Sequence, residues 1–146
     1  MKVMKIKRKV MIKNKTFWLS GFYIGIRELE KICIGLEKEL RKKFEIDCLL
    51  TDDMEITRLN RKFLGLNSPT NVLSFPYDEG SGGSIMISLE AVYREAFIYG
   101  QNPDEHFIRV FVHGVLHLLG FDHSQDMFDL TEKFVKKFST NLYKIL

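Results

Sequence analysis

The sequence predicts an α+β fold, a small mixed four-stranded sheet packed with about five helices. Three observations lead there. Residues 3–13 alternate apolar and lysine side chains, the period of a strand. The next segment steps its apolar residues by four and three, the period of a helix with one buried face. Beyond residue 50, short β-branched runs and capped helical stretches follow one another without a repeat, a low-complexity tract or a linker. At 146 residues, 45% of them hydrophobic and 28% charged, the chain is long enough and apolar enough to bury one core, which makes 1–146 a single domain.

Each element has its own signal. In residues 3–13, Met4, Ile6, Val10 and Ile12 form one face and Lys5, Lys7, Lys9 and Lys13 the other. Phe22, Ile26, Leu29, Cys33, Leu36 and Leu40 mark a helix over about 21–43. EIDCLL at 45–50 is a short strand, and Thr51 or Asp52 caps the helix DMEITRLNRKFL, whose first turn carries Glu55 where its charge suits the helix dipole. Residues 65–71, containing Pro69, form a turn-rich loop, and 72–75 a third strand that Pro76 ends or holds at an edge. DEGSGG is the flexible loop before a fourth strand at 84–88. Ser88 caps a helix over 89–99, Asn102-Pro103-Asp104 opens another that Gly120 ends, and Asp126 caps a last helix reaching the C-terminus.

Charge is uneven along the chain. Residues 1–50 hold 13 Lys+Arg against 6 Asp+Glu, whereas 51–146 hold 9 against 13. A basic end suits phosphate contacts, and lysines on an edge strand equally discourage aggregation. The lysine-rich start followed by FWLSGFYIGI imitates a signal peptide, but no small-residue cleavage site follows and the pattern continues into an amphipathic helix. No run reaches the roughly 18 apolar residues of a membrane span. The expectation is a cytoplasmic protein without a membrane partner. Cys33 and Cys48 fall in apolar patterns outside any C-x-x-C pair, and read as buried small hydrophobes without a disulfide partner.

VHGVLHLLGFDH at 112–123 carries the chemistry. His113 and His117 are one helical turn apart, so both imidazoles can reach one ion. A third ligand further along the same helix would be too distant. Gly120 resolves this by ending the helix in a left-handed turn that returns His123 to the metal. The surrounding apolar residues make this a buried helix, where imidazoles without partners are costly. His106, two turns before His113, is too far away to share the ion and reads as a helix-start or surface histidine. Three neutral nitrogen ligands on a tetrahedral zinc leave one open position, the arrangement of catalytic sites. The expected cofactor is therefore one Zn2+ per chain, held by His113, His117 and His123. The spacing also matches the H-E-x-x-H-x-x-G-x-x-H of metzincin peptidases, except that Gly114 stands where their glutamate does. That glycine either permits close backbone packing or leaves room for a substrate, and it supplies no base. Phosphodiester cleavage asks less of a base than peptide hydrolysis, because RNA carries its own 2′-hydroxyl nucleophile. Asp122 is a candidate for orienting a ligand or handling protons, or is a carboxylate in a turn.

At HGVLHLLGFDH the chain resembles the YbeY family of rRNA maturation factors. LNRKFLGLNSPTNVLSFPY at 59–77 is similar to that family's L-N-x-x-[YF]-R-x-x-D-x-P-T-[DN]-V-L-S-F-P segment, and GSIMIS at 83–88 to its G-D-[IL]-x-I-[SC]. The resemblance implies an α+β fold with the metal in a cleft. It also implies a zinc-dependent, single-strand-specific endoribonuclease that trims rRNA, notably the 3′ end of 16S rRNA, and checks late ribosome assembly. Its partners would be rRNA and ribosomal particles. Three positions depart from the pattern: Leu64 replaces an arginine, and Asn67 and Ser84 replace aspartates. Leu64 cannot hold a phosphate. Arg61 and Lys62 are nearby candidates to do so, or are solvated helix residues. Thr70, Asn71 and Ser74 match the pattern, as RNA contacts or as residues that shape a turn and a strand end. Two other readings stand beside the nuclease: an RNA- or ribosome-binding assembly factor with a mainly structural metal, which Leu64 favours, and a metzincin-like peptidase, which Gly114 disfavours.

Overall fold

The computed structural model describes residues 9–12, 22, 24–122 and 124–145. Strand β1 (Lys9–Ile12) is the part of the expected first strand that falls within them, and Lys5, Lys7 and Lys13 lie outside. Helix α1 (Ile26–Leu40) follows, then β2 (Glu45–Thr51), α2 (Asp53–Leu64), β3 (Val72–Pro76), β4 (Gly82–Ser88), α3 (Leu89–Tyr99), α4 (Pro103–Leu118) and α5 (Gln125–Ile145). The strands lie in the order β1-β2-β4-β3, with β1 and β4 parallel to β2 and β3 antiparallel to β4 at the edge. This is the α+β architecture with a small mixed sheet and five α-helices among the described residues.

Helix α1 is shorter than its apolar stripe suggests. Extended Gly25 precedes it, donating its N–H to Glu28 Oε1 at 2.6 Å, and Arg41, in the left-handed region at φ 52, ends it. Asp52 Oδ1 accepts from the Glu55 N–H at 2.9 Å and starts α2, and Ser88 Oγ accepts from Ala91 N–H at 3.1 Å to start α3. Ser124, and not Asp126, occupies the capping position of α5, its Oγ 3.4 Å from the Met127 N–H. Asp126 sits in the first turn instead.

The expected DEGSGG loop is shorter as well. A single turn of 3-10 helix covers Asp78–Gly80, and Gly82 and Gly83 already belong to β4. Gly82 has φ +127 and lies so close to the Glu45 backbone that a side chain would collide with it. In isolation such glycines read as loop; in the sheet they permit the approach of β2.

The sheet separates two apolar clusters. Helices α1, α3, α4 and α5 build the larger one against Ile46, Cys48, Leu50, Ile85 and Ile87. Helix α2 covers the other face, where Ile56 and Leu59 meet Leu73, Leu49, Phe75 and Met86. Strand alternation does the sorting, since odd positions of β4 face α4 and even ones face α2. Among the described residues no helix is long and apolar enough to cross a membrane.

Candidate metal centre

Helix α4 is anchored before it reaches the histidines. Asn102 Oδ1 accepts from the N–H groups of Asp104 (2.9 Å) and Glu105 (3.3 Å), and Pro103 occupies the first helical position. Buried Asp104 accepts the Ile24 N–H at 3.0 Å, which ties the helix start to the segment before α1. Two glycines then set how closely α4 lies on the sheet. A Cβ at Gly114 would stand under 3.0 Å from Ile85 Cδ1 and 3.6 Å from Val72 Cγ2. A Cβ at Gly83 would stand 2.7 Å from Leu118 Cδ2. Gly114 is therefore the closest-packing point of helix and sheet. The alternative that it leaves room for a substrate does not hold, because Ile85 and Val72 already fill that space.

This docking rotates a polar stripe to the outside. Phe107, Phe111, Val112, Val115 and Leu118 are buried, while Arg109, His113 and His117 follow one another at single-turn intervals on one edge of the helix. His113 is half-buried and His117 exposed. The helix is buried as expected, but these two imidazoles are not enclosed by its apolar residues. Their placement on an accessible stripe suits ligands that must leave a position open to solvent.

The helix ends as the motif requires. Gly120 has φ +96, its N–H reaches His117 O at 3.1 Å, and the Phe121 N–H reaches Leu116 O at 3.1 Å. Asp122 is exposed, and its carbonyl accepts the Ser124 N–H at 2.7 Å. His123 lies outside the described residues. Among the described residues no group of three His, Cys, Asp or Glu side chains gathers to hold an ion, so the structure brings together two of the three expected ligands.

His106 is a helix-start residue but not a surface one. It is 9% exposed, with Nε2 2.9 Å from Glu95 Oε1, and Nδ1 has no hydrogen-bond partner among the described residues. Glu95 Oε1 also accepts the Asn71 side-chain amide at 3.0 Å. The Asn71 carbonyl takes the Ser88 N–H at 2.9 Å, and Thr70 Oγ1 donates to Val72 O at 3.4 Å. These contacts position the start of β3. Ser74 pairs with Ile85 across β3 and β4, so it shares the face of the sheet that carries α4. Arg61, Lys62 and Leu64 are exposed on α2, across the sheet from α4, with Lys62 Nζ 5.4 Å from the Phe63 ring centroid.

Sequence reasoning missed the other flank of the stripe. Between α4 and α5 a cavity of about 310 Å³ opens beside His113. Arg109 and Glu132 are part of its lining, joined by two hydrogen bonds of 2.8 and 3.1 Å. The Glu132 carboxylate holds the Arg109 guanidinium pKa above its ordinary value through these bonds. Ser124, Met127, Phe128 and Thr131 of the α5 side complete the lining. The one available signal was Arg109, placed a turn before His113 on the same edge.

An α+β domain with a histidine-bearing helix laid across a mixed sheet is the class that fold and site define. The family model for Endoribonuclease YbeY matches residues 26–139, and the chain belongs to that family. It is similar to Endoribonuclease YbeY of Oleidesulfovibrio alaskensis, with 33% identity over 84% of this chain and 88% of the relative. Endoribonuclease YbeY of Petrotoga mobilis is 36% identical over 76% of this chain and 85% of its own length. The solution structure of TM1509 from Thermotoga maritima superimposes with a TM-score of 0.68 at 26% identity, covering 94% of this chain and 92% of that one.

Proposed function

We propose that this protein is a zinc-dependent, single-strand-specific endoribonuclease that matures rRNA, including the 3′ end of 16S rRNA, and acts on ribosomal particles late in assembly. The observation that carries the proposal is the accessible stripe on α4. His113 and His117 stand one turn apart, and His113 lines an open cavity, in a chain whose family is named for endoribonuclease activity. His113, His117 and His123 would hold the ion. Two neutral imidazoles at this spacing fit zinc, and His123 would complete a three-nitrogen set. When bound, zinc supplies Lewis-acid stabilisation of charge on the scissile phosphate.

The chain's own residues do the rest. The Gly114 contact with Ile85 and Val72 fixes the height of the histidines over the sheet. Strand β3, with Ser74 on the α4 side, forms one flank of the substrate path. Gly114 offers no proton acceptor, so proton handling is assigned to exposed Asp122. A peptidase, which must deliver a proton to a leaving amine, is poorly served by this arrangement.

The test is zinc analysis of the purified protein and cleavage of a single-stranded RNA with and without chelator. The expected result is close to one zinc per chain, cleavage lost with chelator, and both zinc and cleavage lost in His117→Ala. Stoichiometric zinc in a protein that binds RNA without cutting it would favour the assembly-factor reading, which exposed Leu64 supports. Cleavage of casein by the unmodified protein would favour the peptidase.

A further inference from the structure

We infer that the cavity between α4 and α5 is a nucleobase pocket, in which one unpaired base of the RNA stacks on Phe128 beside the metal centre. The inference rests on RNA being the substrate of the His113–His117 site, and it adds how that site seats a strand. Three observations carry it. The cavity is continuous with the centre, because His113 is part of its wall. Its volume, about 310 Å³, is at the small end of ligand pockets and suits one planar ring system. Phe128 lines it and is 59% exposed, an aromatic ring left largely to solvent.

Electrostatics decide between the parts of a nucleotide. A phosphate would need an uncompensated cation, but Glu132 neutralises Arg109 with two hydrogen bonds, and Gln101 Oε1 takes a third from Arg109 Nη1 at 2.8 Å. The other polar side chains of the α5 side are engaged too. Thr131 Oγ1 donates to Met127 O at 2.8 Å, and Ser124 Oγ accepts from the Met127 N–H. What remains for a ligand, on the side away from His113, is the exposed ring of Phe128, with Met127 buried in the wall. Such a pocket offers a face to stack on rather than edges that read a sequence. It therefore accepts any base and rejects a paired one, because a base inside a duplex cannot leave its stack without losing its pairing. Strand selectivity of this kind needs no sequence motif in the substrate.

The experiment measures binding of a short single-stranded RNA by fluorescence anisotropy in chelator, and its cleavage with zinc, for the parent protein and for Phe128→Ala and Phe128→Trp. A set of RNAs, each lacking one base, is measured alongside. Phe128→Ala should weaken binding about tenfold, the effect of one lost base–aromatic stack, while Phe128→Trp retains it. One abasic position should weaken binding to the parent equally and have no further effect in Phe128→Ala. Phe128 is exposed, so its variants should keep the parent melting temperature and zinc content. Binding by Phe128→Ala within twofold of the parent would overturn the pocket, even if the parent cleaves RNA normally. A parent that binds RNA in a Phe128-dependent way without cleaving it would uphold the pocket and overturn the nuclease. A parent that neither binds nor cleaves single-stranded RNA would overturn both.

Discussion

Gly114→Ala adds one methyl group where α4 and the sheet are nearest. The new Cβ would lie under 3.0 Å from Ile85 Cδ1, the end of a fully buried side chain that would have to turn away within the core. Helix propensity favours alanine over glycine by about 1 kcal/mol. Overpacking a filled core costs about 1–3 kcal/mol. The difference is a net destabilisation of about 1 kcal/mol, which for a chain of this size lowers Tm by about 2–4 °C. Ile85→Val removes the offending Cδ1 and by itself costs about 0.5–1.5 kcal/mol. In the double variant the methyl added at 114 occupies the space vacated at 85. The two changes should therefore couple favourably by about 1 kcal/mol in urea unfolding. Strict additivity, or a Gly114→Ala protein more stable than its parent, would refute the packing argument. Gly114→Glu meets the same wall with a charge attached and should not accumulate as folded protein.

Two further outcomes follow from burial and exposure. Leu64 is 54% exposed, so Leu64→Arg should alter stability by no more than about 0.5 kcal/mol. If the arginine reaches a phosphate, it should steepen the log–log salt dependence of RNA affinity by about 0.7, read by titration at several salt concentrations. The cysteines Cys33 and Cys48 are buried, and burial, with Cys33 nearby, pushes the Cys48 thiol well above its ordinary range. The thiolate of Cys48 is therefore scarce below that raised value. Neither thiol should react with an aromatic disulfide reagent at pH 8 until denaturant unfolds the protein, and prompt native labelling would contradict the burial.

What was legible in the sequence depended on local rules. The α1 stripe, the Asp52 and Ser88 caps and the left-handed turn at Gly120 each follow from side chains within a few residues of one another. The features that were misread depend on a neighbour distant in sequence. Gly82 and Gly83 look like loop until β2 and Leu118 are beside them. Gly114 has two readings until Ile85 chooses one. His106 reads as a helix-start or surface residue, and its burial depends on Glu95, a carboxylate partner on another helix. The cavity beside His113 could not be foreseen, since α5 forms half of it and nothing in the α5 stripe sets its angle to α4. On α4, the spacing of His113 and His117 was sufficient to place them on one edge, but not to show that this edge faces outward.

The bond from Ile24 N–H to Asp104 Oδ1 joins residues 80 positions apart. Its consequence is temporal. The start of α4 acquires its buried partner only after a long loop has closed, and β2 must likewise wait for β4 before it pairs on that side. Topologies dominated by such distant contacts fold slowly, because closure entropy is lost before the contacts form. A chain still emerging from the ribosome has made Ile24 long before Asp104 exists. Its histidine helix gains that contact late, and α5, which adds Met127, Phe134 and Val135 to the same core, comes later still, so the edge carrying His113 and His117 would be fixed only once most of the domain has been made.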